Sequence, residues 1–131
     1  MILDAAAALD LLTDEGDRGE WVAQQLVGED VLDAPHLIDV EVLSGLRKRV
    51  SRRELSAGVA GIAVTRLREL RIRRYSAADL LDRIWQLRSR LTPYDASYVA
   101  LAETLGAPLV TTDARLARAG GHRARILAFD R

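Results

Sequence analysis

Cysteine is absent from the 131-residue chain. That excludes disulfides, a thiolate-held metal and a cysteine nucleophile. Histidine occurs only as His36 and His122, too few for a polyhistidine metal centre. No run reaches the ~18 apolar residues that read as a membrane-spanning helix. The start, Met1-Ile2-Leu3-Asp4-Ala5, lacks a basic region and meets an acid early, unlike a signal peptide. A chain without cysteine is consistent with the cytoplasm, which is the expected location. Proline is scarce too: Pro35, Pro93 and Pro108 stand singly, with no Gly/Ser/Pro-rich linker, repeat or low-complexity tract around them. One domain over residues 1–131 is therefore expected.

What is present favours a packed fold. Hydrophobic residues make up 49% and charged residues 29%, a balance that opposes disorder. A domain of this size buries roughly two thirds of its unfolded surface and folds without staples. The net charge is zero but uneven. Residues 1–41 carry eleven acids against Arg18, and residues 47–74 carry ten bases against Glu54 and Glu69, local charges of −10 and +8. Such asymmetry points to an anionic partner for one face and a cation for another, although solvated helix faces give the same pattern. Eighteen of the nineteen bases are Arg, which a GC-rich genome would produce without selection for phosphate.

Periodicity and punctuation set the elements. Ile2-Leu3 is a short apolar run, followed by a helix over 5–12 and another over about 19–27. Val31-Leu32 reads as a strand closed by Asp33-Ala34-Pro35. Leu37, Ile38, Val42, Leu46 and Val50 have helical spacing over 36–50. A helix over 56–70 follows, then Ile72 as a short edge strand. A helix over 77–87 has Leu80, Leu81, Ile84, Trp85 and Leu87 on its apolar side. Thr92-Pro93-Tyr94-Asp95 is a strong helix start, and Gly106 takes the role of its C-cap. Leu109-Val110 reads as a buried strand, Asp113 opens a short helix to about 119, and 126–129 is a last strand. Short apolar strands alternating with helices imply an α/β fold, a short parallel β-sheet flanked by α-helices. Sites in such folds lie at the carboxyl ends of the strands.

Four acids fall at that end. Asp4 follows the first strand, Asp113 follows the Leu109-Val110 strand, Asp95 lies in the first turn of the helix before that strand, and Glu41 lies in the first half of the helix after the second strand. Each has a structural explanation: Asp4 and Asp113 as helix N-caps, Asp95 as the partner of Thr92 in a capping box, Glu41 as a solvent residue. Clustered carboxylates, however, repel by several kcal/mol and call for a cation. Hard oxygen donors without cysteine favour Mg²⁺ or Mn²⁺ over Zn²⁺.

The order Ile2-Leu3-Asp4-Ala5, Ala34-Pro35-His36-Leu37, Asp39-Val40-Glu41-Val42-Leu43-Ser44, Leu91-Thr92-Pro93-Tyr94-Asp95-Ala96-Ser97-Tyr98 and Leu109-Val110-Thr111-Thr112-Asp113 resembles the PIN-domain family over essentially the whole chain. More narrowly it resembles the VapC-type toxin ribonucleases of prokaryotic toxin–antitoxin pairs. The resemblance implies a Mg²⁺-dependent endoribonuclease, with Mn²⁺ as a substitute, leaving 5′-phosphate and 3′-hydroxyl ends. Asp4 and Asp95 would be the direct metal ligands, with Glu41 and Asp113 completing the pocket, often through water. It further implies a homodimer and a cognate VapB-type antitoxin, whose tail sets an Arg against the carboxylates. One departure is Ala6, where the family commonly has a hydroxyl; Thr112 beside Asp113 offers one nearby.

The basic residues Arg47, Lys48, Arg49, Arg52 and Arg53 lie just beyond Glu41 and are placed to hold RNA phosphates. Trp21, Tyr75 and Trp85 are candidates for base stacking, although Trp85 at helical spacing reads better as core or dimer interface. His36 and His122 read as surface or turn residues. Two other acid-based folds fail on the residues: a haloacid-dehalogenase-type phosphatase needs an Asp at Ala6, and a receiver domain needs a Lys after a late strand. The alternative from a different class is a catalytically inactive PIN-like binding or assembly module, which Ala6 favours and the four acids oppose.

Overall fold

The computed structural model describes residues 1–13 and 16–130. Asp14 and Glu15, counted above among the N-terminal acids, lie outside the described residues, as does Arg131. Five strands form one sheet: β1 (Ile2–Leu3), β2 (Leu32–Pro35), β3 (Ile72–Tyr75), β4 (Leu109–Thr111) and β5 (Ile126–Ala128). Their order is β3-β2-β1-β4-β5, and every pairing is parallel. The helices are α1 (Ala5–Thr13), α2 (Gly16–Gln25), α3 (Ile38–Ser51), α4 (Ala57–Glu69), α5 (Leu81–Gln86), α6 (Pro93–Leu105) and α7 (Ala114–Arg118), with a 3₁₀ turn over Ala77–Leu80 before α5.

The inner strands β1 and β4 are covered on both faces, and Ile2, Leu3, Leu109 and Val110 are fully enclosed, which accounts for their unbroken apolar runs. Helix α6 lies across the sheet and buries Ala96 through Ala102 in one continuous run. Its ends follow the sequence. The Thr92 hydroxyl accepts from the Asp95 N–H at 3.3 Å, and Gly106 closes the helix at φ 61°, a conformation that costs glycine little. Ser56 and Asp113 likewise cap α4 and α7. Among the described residues no helix is long and apolar enough to cross a membrane.

Two expectations are corrected. Strand β2 runs on through Asp33-Ala34-Pro35 instead of closing there. The Asp33 N–H donates to Met1 at 3.0 Å, so the imino nitrogen of Pro35, two residues on, faces the same side, and β1 has already ended at Leu3. The segment 77–87 is not one amphipathic helix. Its 3₁₀ start changes the phase, so Leu80 and Leu87 are buried while Leu81 and Trp85 are 60% and 65% exposed. Trp85 is therefore outside the core, with the Arg88 guanidinium 4.4 Å above its ring.

Candidate active site

In the order 3-2-1-4-5, the chain leaves β1 toward one side of the sheet and β4 toward the other. The crevice at that reversal opens between the carboxyl ends of β1 and β4. Asp4 is the residue after β1, and Asp113 comes two residues after β4. Helix α3 brings Glu41 to the same crevice, and the first turn of α6 brings Asp95. All four carboxylates line one cleft of about 360 Å³, together with Ala6, Ser44, Lys48, Tyr98 and Arg115. Neither histidine is there: His36 is exposed, and His122 bonds within its own turn to Ala119 and Ala124.

Asp4 is 4% exposed. Its Oδ1 accepts from the Ala7 N–H at 2.8 Å, so it caps α1, and its Oδ2 accepts from the Thr111 hydroxyl. That hydroxyl in turn accepts from the Asp113 N–H at 2.9 Å. Thr111 thus ties two of the acids together. Capping and a place in the cleft are compatible at Asp4, because each oxygen keeps a second lone pair. Asp113 also caps α7, accepting from the Arg115 N–H at 2.9 Å. Glu41 takes a 2.8 Å bond from the Tyr98 phenol.

The electrostatics describe acids short of positive charge. Burial pushes the Asp4 carboxyl up to about 7, against the pull of Thr111 and Ala7, and Asp113 and Asp95 add repulsion. Burial raises Asp95 as well, with repulsion from Asp113 opposed by Arg115. Burial raises Glu41, the Tyr98 bond lowers it, and Asp95 raises it further. Among the described residues no three side chains are drawn together as a closed ligand set; the four acids stand around an open cleft. The donor set is all hard oxygen, and the repulsion within it is of the kind a divalent cation relieves.

The basic residues divide. Lys48 lines the cleft. Arg47, Arg52 and Arg53 are exposed. Arg49 is turned into the fold, donating to Asp10 at 2.9 Å and to the Thr13 hydroxyl at 3.2 Å. The buried Asp10 also accepts from the Thr112 hydroxyl at 2.7 Å. Thr112 is therefore spent on Asp10, and the hydroxyl that serves the acids is Thr111. Of the aromatic residues, the Tyr75 phenol bonds to Asp33 at 2.8 Å, and Trp21 meets Phe129 edge to face at 5.7 Å. Tyr98, Thr111 and Arg115 had no assigned role in the sequence reading. The spacing of Tyr98, one turn after Asp95 on the same helix face, was the available signal.

Comparison with known proteins agrees with this architecture. The sequence model of the PIN domain matches residues 1–122. A VapC ribonuclease of Mycobacterium bovis is 41% identical over 131 residues, covering 100% of this chain and 99% of the relative. Ribonuclease VapC12 of Mycobacterium tuberculosis is 42% identical over 126 residues, 96% of each chain. The crystal structure of Mycobacterium tuberculosis VapC20, described as a sarcin-ricin loop cleaving toxin, superposes with a TM-score of 0.68 over 88% of this chain and 92% of that one. At 16% identity that likeness speaks for the fold alone. With the sheet order, the acid-lined crevice and relatives this similar along their whole length, the chain belongs to the PIN domain family, among its VapC ribonucleases.

Proposed function

We propose that this chain is a metal-dependent endoribonuclease, the toxin of a VapBC-type toxin–antitoxin pair acting in the cytoplasm. The observation that carries the reading is the convergence of Asp4, Glu41, Asp95 and Asp113 on one cleft at the sheet's reversal point. Asp4 and Asp95 would hold Mg²⁺ directly, with Mn²⁺ as a substitute, and Glu41 and Asp113 would complete the site directly or through water. When bound, the ion neutralises a phosphodiester and lowers the pKa of an attacking water.

The protein's own contribution is positioning. The Ala7 N–H and Thr111 hydroxyl fix the Asp4 carboxylate, and the Thr111 bond to the Asp113 N–H fixes the two acids relative to each other. Lys48 and Arg115 stand at the same cleft, where cations attract the RNA backbone without reading its sequence. Arg47, Arg52 and Arg53 extend that basic surface along the far end of α3 and just beyond it. Arg49, spent on Asp10, serves instead to hold α3 to α1.

The test is cleavage of a mixed RNA pool with Mg²⁺ or Mn²⁺, abolished by EDTA and restored by added metal. Intact RNA under all conditions would favour the non-catalytic binding module, for which Ala6, lining the cleft without a hydroxyl, is the supporting feature.

Two partners belong to this reading. One is a second copy of the chain: Val40 and Leu43 on α3, with Leu81 and Trp85 on α5, are exposed apolar residues suited to a dimer interface. Sedimentation should give a dimer at micromolar concentration, and a monomer would remove this part of the proposal. The other is a VapB-type antitoxin that sets an Arg against the cleft carboxylates, since a guanidinium bonds carboxylates in the bidentate manner and can stand in for the metal.

A further inference from the structure

We infer that Tyr98 is a positioning residue of the cleft, holding Glu41 by Oε1 so that Oε2 is left for the metal site. The inference rests on the metal-dependent reading above and assigns a role to a residue outside the four acids. Tyr98 lies one turn after Asp95 on α6 and is 1% exposed. Its ring is fixed by the core, so its hydroxyl has one place to be, and there it donates to Glu41 Oε1 at 2.8 Å. Among the described residues no hydrogen bond holds the Asp95 carboxylate, which faces the cleft while its backbone N–H is capped.

Glu41 needs such a restraint. It is repelled by Asp95, and Lys48 lies about two turns further along α3 on the same cleft wall. Without a donor on the inner side, the carboxylate lowers its energy by swinging toward Lys48 and away from the other acids. The Tyr98 bond opposes that swing across 57 residues of sequence. Among the described residues the phenol has no second partner to choose: its ring is enclosed by the core, and its hydroxyl donates to Glu41.

The competing explanation is that Glu41 merely satisfies a buried phenol. Tyr98→Phe removes one oxygen and leaves the ring, and a double-mutant cycle separates the two cases. Mn²⁺ binding is measured by calorimetry without RNA, below the melting transitions of all variants. Tyr98→Phe should weaken Mn²⁺ binding roughly tenfold, the order expected for losing one bond to a charged group. It should raise the Mg²⁺ needed for half-maximal cleavage by a similar factor while leaving the saturated rate near that of the wild type. In a Glu41→Gln background the same substitution should cost Mn²⁺ affinity nothing more. Wild-type Mn²⁺ affinity in Tyr98→Phe, or an undiminished loss in the double variant, overturns the role given to Tyr98 and leaves the metal site standing. A wild-type protein that takes up no Mn²⁺ overturns the metal reading, and this inference with it.

Discussion

Asp95 and Glu103 stand about two turns apart on α6. Glu103 is gripped by Arg83, whose Nε and Nη2 donate to its two oxygens at 2.7 and 2.9 Å, and it takes a third bond from the Arg123 N–H at 2.7 Å. Those bonds hold its carboxyl below the usual range. Asp95 meets other acids instead, and its carboxyl is raised. Asp39 resembles Glu103, with Arg74 donating to both its oxygens at 2.6 and 2.7 Å. Arginine is plentiful in this chain, and its two-bond grips on Asp39 and Glu103 lie away from the cleft, where Arg115 approaches Asp113 only to 3.7 Å. The cleft acids are left under-neutralised where a cation from outside can serve, and that contrast marks them off from the paired acids, as the proposed reading requires.

The sharpest way to break the comparison is to neutralise one acid of each kind. Asp95→Asn should reduce cleavage by roughly 10²–10³-fold if Asp95 holds the metal as proposed, while metal-free stability is unchanged or slightly higher because repulsion is relieved. Glu103→Gln should do the reverse, losing about 1–3 kcal/mol of stability as Arg83 and Arg123 lose a charged acceptor, with near-normal cleavage. Thermal melts and RNA cleavage on both variants decide it. Equal effects on stability and activity in the two would erase the distinction.

A second test uses pH. The Asp4 carboxyl sits at about 7 in the fold against 3.8 when free, so between those values the folded state binds the extra proton. Its contribution is therefore fully present below about pH 4 and lost as pH rises to about 7. The stability of metal-free wild type minus that of Asp4→Asn should fall over that window by up to about 4 kcal/mol, measured by denaturant melts. Mn²⁺ uptake should strengthen over the same window and release a proton below pH 7. A flat difference would mean that Asp4 is not buried against its charge.

The smallest expected effect concerns the antitoxin. If its Arg replaces the cation at Asp4, Glu41, Asp95 and Asp113, inhibition should weaken severalfold as Mg²⁺ is titrated into a fixed toxin–antitoxin mixture. Inhibition that stays constant while the complex remains intact would mean that the tail covers the site without competing for it.

The parts of the fold legible in the sequence were those written in local chemistry. Thr92, Gly106 and Asp113 act as the caps that their residue types promise, and the apolar pairs at 2–3 and 109–110 lie in the centre of the sheet. The four acids were legible because each follows a strand or opens a helix, positions that an α/β sheet gathers at one edge. What stayed hidden depends on contacts between distant segments. The sequence offers Thr112 as a hydroxyl beside Asp113 and Arg49 as a phosphate contact, and only the packing of α1 against α3 and β4 commits both to Asp10. The phase slip after the 3₁₀ turn likewise exposes Trp85, because local spacing does not record where a helix begins to wind.

The bond from Thr111 to Asp4 spans 107 residues, and β1 finds one of its two partners in β4, near the far end of the chain. A contact of such long sequence separation first has to close a long loop, which costs entropy and slows folding. While the chain is still emerging from the ribosome, Asp4 has no Thr111 to hold it and Asp113 has not been synthesised. The four-acid site proposed above therefore cannot form on a chain that has not yet reached β4 and Asp113, however early α1 and α3 take shape. On the reading proposed above, cleavage waits until β4 has joined the sheet, and the topology leaves an interval in which a VapB-type inhibitor can meet the chain first.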